Sequence, residues 1–272
     1  MDNPKAPVAP GSFRRIKTYI NGFDENIQGG MPEGHVALVS GAAGTMKSSV
    51  CFNVLYNEAV HGHSGLFVSL EQSADSFMKH VENMGYDMSR INLILIDDLA
   101  TMASKVKQTN NPQAGKLILV DVGAIRKEIR DTRMSDNKSW LNVVKNIVKM
   151  VKEQADVELF VLDSLSALYV LSRFENPRIE LFYIFEFLRD LGMTTFLISE
   201  IHANSASYGE YDIEDFLSDT IIHIRLTPFR RSVVREISVV KMRGTKTNND
   251  IFSLEFKDGR FQALYGGQNP LL

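Results

Sequence analysis

The 272-residue chain is predicted to fold as a doubly wound α/β domain, a twisted and largely parallel sheet with helices on both faces and antiparallel hairpins toward its C-terminal end. Three observations predict this. Short unbroken runs of Val, Ile, Leu and Phe recur between residues 35 and 200, as in strands buried on both faces. Segments with apolar residues at helical spacing separate most of these runs, so the connections are crossovers that place helices on both sides of the sheet. Beyond residue 218 the helical segments cease and strand-like runs follow one another directly, which makes the later connections hairpins. Composition agrees, since 44% hydrophobic and 23% charged residues suit a folded chain rather than a disordered one. No repeat, low-complexity block or Gly/Ser linker divides the sequence, so a single domain over 14–265 is expected.

In chain order, MDNPKAPVAPGSF (1–13) carries three prolines and no apolar core, and reads as a loose tail rather than a signal peptide. HVALVS (35–40) is the first buried strand, and SSVCFNVLYNEAVHG is the helix after it. That helix holds Cys51, the one cysteine, which excludes an intrachain disulfide and a cysteine zinc site and reads as a buried thiol. His61 and His63, at the helix end and with no evident carboxylate partner, read as solvated capping groups rather than metal ligands. GLFVSLE (65–71) is the second strand, SADSFMKHVENMG its helix, and INLILIDD (91–98) the third strand. Residues 99–135 are expected to be a polar, partly helical insertion or irregular region around KLILVDV (116–122). SWLNVVKNIVKMVKEQ and IELFYIFEFLRDLG are helices, VELFVLDS (157–164) and TTFLISE (194–200) strands. DTIIHIRLTPF, SVVREISVVKMRG, IFSLEF and FQALY then close one edge.

Ligands of open α/β sheets gather outside the carboxyl ends of the strands, so the residues at those ends define the candidate site. The first strand runs into GAAGTMKSS (41–49), where Gly41, Lys47 and Ser48 fit G-x-x-x-x-G-K-[ST] and Met46 replaces the second glycine. The loop residues Gly41, Ala42, Ala43, Gly44, Thr45, Met46, Lys47, Ser48 and Ser49 are the candidate phosphate cradle. In such a cradle backbone N–H groups hold phosphate oxygens, the lysine reaches the β- and γ-phosphates, and the hydroxyl after it binds Mg2+. The run LFVLD ends in Asp163, a carboxylate at a dry strand end suited to hold the same metal with Ser48. Glu71, at the end of the second strand, is the expected general base, and Glu200 either adds a further carboxylate or caps the next loop. ATP and Mg2+ are the expected cofactors. If position 46 requires positive φ, its β-carbon costs roughly 1–2 kcal/mol, about tenfold in affinity, which weakens such a loop without abolishing it.

A formal charge of −3 supplies no general attraction for nucleic acid or anionic membrane. The apolar runs fall short of the roughly 18 residues that a membrane span requires, so a soluble cytoplasmic protein is expected.

Six segments, in order, resemble the KaiC-like branch of the RecA superfamily of P-loop ATPases over about residues 14–260: INGFDENIQGGMPEG, GAAGTMKSS, FVSLEQS, FVLDSLSAL, IEDFLSDTII and VVKMRGT. The resemblance implies an ATPase that assembles as a ring, usually a hexamer, with ATP at subunit interfaces. It also implies that Lys241 and Arg243 of one subunit reach the neighbour's nucleotide, catalytic beside Glu71 and Lys47. Being two apart, Lys241 and Arg243 share one face of a strand, and an arginine supplied by a neighbour stabilises charge on the transferring phosphoryl group. Three departures stand out. Met46 replaces a glycine, Gln72 replaces the second glutamate of the family's acidic pair, and Asp215-Phe216 occupy the place where clock-type members phosphorylate a Ser-Thr pair. Slow hydrolysis by Glu71 alone, without autophosphorylation, is therefore expected, in a regulatory switch that works through its assembly state. One alternative is a recombinase paralogue gripping single-stranded DNA through HANSASYGEYD (202–212) with Arg230, Arg231 and Arg235, a reading the negative net charge does not favour. Another is a non-hydrolysing ATP sensor that docks on a larger machine, against which the presence of Glu71 counts.

Overall fold

Successive side chains of the central strands enter opposite layers. Ala37 and Val39 pack on one side of the sheet and Val36 and Leu38 on the other, and the same alternation separates Phe67 from Leu66 and Val68. The computed structural model describes residues 14–131, 140–172, 174–202 and 205–265. The loose tail expected over 1–13 lies outside the described residues.

The chain enters through the short segments β1 (Arg15–Ile16), β2 (Ile20–Asn21) and β3 (Met31–Pro32), and β1 pairs with β3 in a two-stranded ladder. Then come β4 (Val36–Gly41), α1 (Lys47–Val60), β5 (Gly65–Ser69), α2 (Ala74–Asn83), β6 (Asn92–Ile96) and α3 (Met102–Lys105). They are followed by β7 (Lys116–Asp121), α4 (Val122–Asp131), α5 (Trp140–Ala155), β8 (Leu159–Asp163), α6 (Leu165–Ser172), α7 (Pro177–Asp190), β9 (Thr194–Glu200) and α8 (Glu214–Leu217). The last four strands are β10 (Thr220–Phe229), β11 (Ser232–Met242), β12 (Phe252–Lys257) and β13 (Arg260–Tyr265).

One 11-stranded sheet has the order β2-β13-β12-β11-β10-β4-β9-β8-β5-β7-β6. From β10 through β4 to β6 every neighbouring pair is parallel, and β10 to β13 pair antiparallel in succession. This is the predicted largely parallel sheet with C-terminal hairpins. Helices α1 and α2 pack on one face, with Phe52, Leu55 and Phe77 in that layer, and α5, α6 and α7 on the other, with Ile147, Leu165 and Phe185.

Two sequence expectations need correction. The stretch 99–135 is not an insertion, because β7 within it lies between β5 and β6 with Leu117 to Val120 buried. The polar approach to β7 is a crossover fastened by one side chain. Asn92 donates from Nδ2 to the carbonyls of Asn111 and Ala114, and its Oδ1 accepts from the N–H groups of Asn110 and Asn111. His63 does have a carboxylate partner, since its Nδ1 lies 3.1 Å from Glu158 Oε1. Glu158 also pairs with Arg14, and Arg14 in turn reaches Glu33 at 2.9 Å and Glu58 at 3.5 Å. His61 does lie at the end of α1, with Nδ1 2.6 Å from the Asn57 carbonyl and its ring stacked on Tyr19. Among the described residues no group of three or more His, Cys, Asp or Glu could hold a metal ion.

Candidate functional site

The loop between β4 and α1 is shaped by its residues before any ligand is considered. Gly41 is required by close packing, since a β-carbon there would stand 2.1 Å from the Ile224 carbonyl oxygen on β10. Thr45 is buried, and its hydroxyl donates to the Ala42 carbonyl at 2.8 Å, closing the loop on itself. Met46 takes φ 72° and ψ 27° as the N-cap of α1, the left-handed conformation that glycine adopts without penalty. Its side chain caps no N–H group and packs against the core instead. The first N–H groups of α1 therefore remain open toward the cleft, where the helix dipole favours an anion.

Gly44, Met46, Lys47, Ser48, Ser49, Glu71, Gln72, Asp163 and Glu200 line one cleft of about 460 Å³, with Ser76, Phe77, His80 and Ile198 completing its wall. Ala42 and Ala43 line a second cleft of about 500 Å³ across the loop, with Glu200 shared between the two. Lys47 is buried and donates from Nζ to the carbonyls of Gly41 and Ala42, both at 2.9 Å, with Glu200 Oε1 at 3.5 Å. Ser48 hydrogen-bonds the Asp163 carboxylate. Ser164, next to Asp163, donates its hydroxyl to Glu71 Oε1, so Glu71 and Asp163 are tied to one strand end. Asp163 is pushed up to about 6, above all by burial, with the hydrogen bond from Ser48 opposing and the negative charge of Glu71 adding.

The donor set fits a magnesium nucleotide. A hydroxyl and a buried, charge-strained carboxylate meet where a hard cation would relieve the strain, beside a buried ammonium group and an open helix N-terminus. Gly44, at φ 80° with nothing within 4 Å of an added β-carbon, leaves the loop surface bare for close approach.

Lys241 and Arg243 stand apart from this cleft in the same chain. Lys241 Nζ donates to the carbonyls of Asp215 and Phe216, and Arg243 donates to the Phe216 carbonyl and, at 2.7 Å, to Asp219 Oδ1. Both thus emerge on one side around Phe216, whose ring is 73% exposed. Arg235, grouped by the sequence with Arg230 and Arg231, instead turns back and donates to the Gly44 carbonyl at 3.4 Å. That contact had no sequence signal. Asp121 was also missed as a strand-end carboxylate. It accepts from the N–H groups of Ala74 and Ala124, both at 2.9 Å, and so caps α2 and α4 at once. The signal was present, since KLILVD ends as LFVLD does.

A family profile described as "ATPase: KaiC" matches residues 16–262. The chain is 27% identical to a UPF0273 protein of Pyrobaculum aerophilum over 92% of its own length and 83% of the other's. It is 26% identical to the circadian clock oscillator protein KaiC 1 of Synechocystis, covering 85% of this chain and 40% of that protein. The crystal structure of a KaiC-like protein from Pyrococcus horikoshii superimposes with a TM-score of 0.71 at 23% identity, over 93% of this chain and 99% of that one.

Proposed function

The chain belongs to the KaiC family of ATPases, and on that basis we propose that it binds Mg-ATP, hydrolyses it slowly and acts as a regulatory switch through nucleotide-dependent assembly. What supports the reading is that Lys47, Ser48, Glu71 and Asp163, from three separate stretches of sequence, line one cleft at the carboxyl edge of the sheet. Lys47 would leave the loop carbonyls to neutralise β- and γ-phosphate oxygens. Mg2+, held by Ser48 and Asp163, would spread the charge of the same oxygens. Glu71 would take the proton of the attacking water, oriented by the hydroxyl of Ser164. Gln72 orients but carries no charge, which leaves Glu71 as sole base and turnover slow.

The proposal extends to a head-to-tail ring, a hexamer by family resemblance, in which Lys241 and Arg243 of one subunit complete the neighbour's site. Its setting is cytoplasmic, and no described helix is long and apolar enough to cross a membrane. The test is phosphate release from Mg-ATP by the purified chain beside Glu71→Gln. The reading expects slow release that falls at least about a hundredfold in the variant. Binding without release in the unmodified chain would shift the assignment to an ATP sensor. A second reading, single-stranded DNA binding, draws on the exposed ring of Phe229 with the Arg230 guanidinium 5.5 Å above it at the tip of the β10–β11 hairpin. It expects a salt-sensitive gel shift that disappears in the Arg230→Glu, Arg231→Glu double variant, and no shift at low salt would remove it.

A further inference from the structure

His80 has no part in the motifs that identify the loop, yet it lines the same cleft. Its Nε2 lies 3.0 Å from the hydroxyl of Ser49, in the first turn of α1 directly after Ser48. Ser49 is 3% exposed, whereas His80 is exposed on α2. A hydroxyl–imidazole pair always retains one proton beyond its mutual bond. If Ser49 donates, the ring keeps Nδ1–H, and if the ring donates from Nε2, the serine keeps its O–H.

Position along α2 indicates which part of a ligand meets that proton. Glu71 precedes the N-cap of α2, Ser73, whereas His80 lies seven residues beyond the cap, roughly 10 Å along the axis at 1.5 Å per residue. Among the residues lining the cleft, Glu71 thus lies before the start of α2 and the Ser49–His80 pair lies farther along that helix. A phosphate chain whose terminal group faced Glu71 would have its inner groups toward the open end of α1 and His80.

We propose that His80 and Ser49 act as one donor unit for the inner phosphates of a nucleotide, those shared by tri- and diphosphates, and so set affinity for both. The inference rests on the nucleotide reading above and assigns a contact within that site. The experiment measures Kd for ATP and for ADP on the full chain with Mg2+, by displacement of a fluorescently labelled ADP. His80→Ala and Ser49→Ala are each expected to raise both values by about tenfold, as for loss of one hydrogen bond to a charged group. The ATP-to-ADP ratio should stay within about twofold, and the double variant should lose no more than either single one, because the pair works as a unit. His80→Gln, which keeps an N–H donor, should recover most of the loss. Unchanged Kd values in His80→Ala, with the unmodified chain binding normally, would overturn the inference and leave the nucleotide reading intact. Loss confined to ATP would also overturn it, by placing His80 at the terminal phosphate. An unmodified chain that binds neither nucleotide would overturn both.

Discussion

Met46 holds a β-carbon where the backbone is left-handed, so two effects of similar size compete at one residue. The conformation costs roughly 1–2 kcal/mol, and the partial burial of a methionine side chain returns about 1 kcal/mol. Glycine and alanine separate the two terms. Met46→Ala keeps the strain and loses the packing, and should lower unfolding free energy in urea by about 1 kcal/mol. Met46→Gly loses both and should be more stable than the alanine variant by about 1 kcal/mol, less a few tenths for the added freedom of the unfolded chain. If alanine equals glycine, backbone strain at this position does not matter. The sequence itself posed this question, since a glycine missing from a phosphate-loop pattern implies a φ to be checked. Gly41 was less legible, because its need comes from the Ile224 carbonyl on a strand far along the chain.

At the scale of elements, the long helices and the buried strands were readable because apolar spacing is a local property. Helix α6 was not, since LSALYVLS is apolar on nearly every side and lacks the amphipathic spacing that marks the longer helices. Strand β7 was seen as an apolar run but not as the neighbour of β5, because spacing reports which face is buried and says nothing of which strand lies alongside. Of the carboxylates at the strand ends, Glu71, Asp163 and Glu200 were legible as a set and Asp121 was not. The pair His63–Glu158 was not, as its members are 95 residues apart in sequence. That pair, with Arg14, fastens the chain entry to the start of β8. Glu158 is held down to about 2 from its ordinary 4.5, first by the His63 hydrogen bond against the opposing effect of burial, then by Arg14. A depressed carboxylate stabilises the fold fully above its unfolded value and loses that contribution as pH falls through the folded one. Glu158→Gln should therefore lower stability at pH 7 by about 1–2 kcal/mol, allowing for solvent screening. The gap to the unmodified chain should close between about pH 4.5 and pH 2, and thermal melts across that window would check it. A gap independent of pH would show that the ion pair contributes nothing.

Across the whole molecule, the sheet separates two apolar layers, one holding α1 and α2 and the other α5, α6 and α7. The loop before α1 packs into the first layer through Met46, and β11, which leads to Lys241 and Arg243, buries Ile237, Val239 and Met242 in the same layer. Ile222 lies in the first layer and Ile147 in the second, each 2% exposed. Truncating either to valine should cost about 1 kcal/mol, and the double variant should show the sum within about 0.5 kcal/mol, since the two residues sit in separate layers. Departure from additivity by more than about 1 kcal/mol would mean that the strands transmit strain from one side to the other. The sheet is thus a firewall for mutation. Each side can drift, or be redesigned, without a matching change across it, so a lineage can remodel the outer helices while the chemistry beneath α1 keeps its shape.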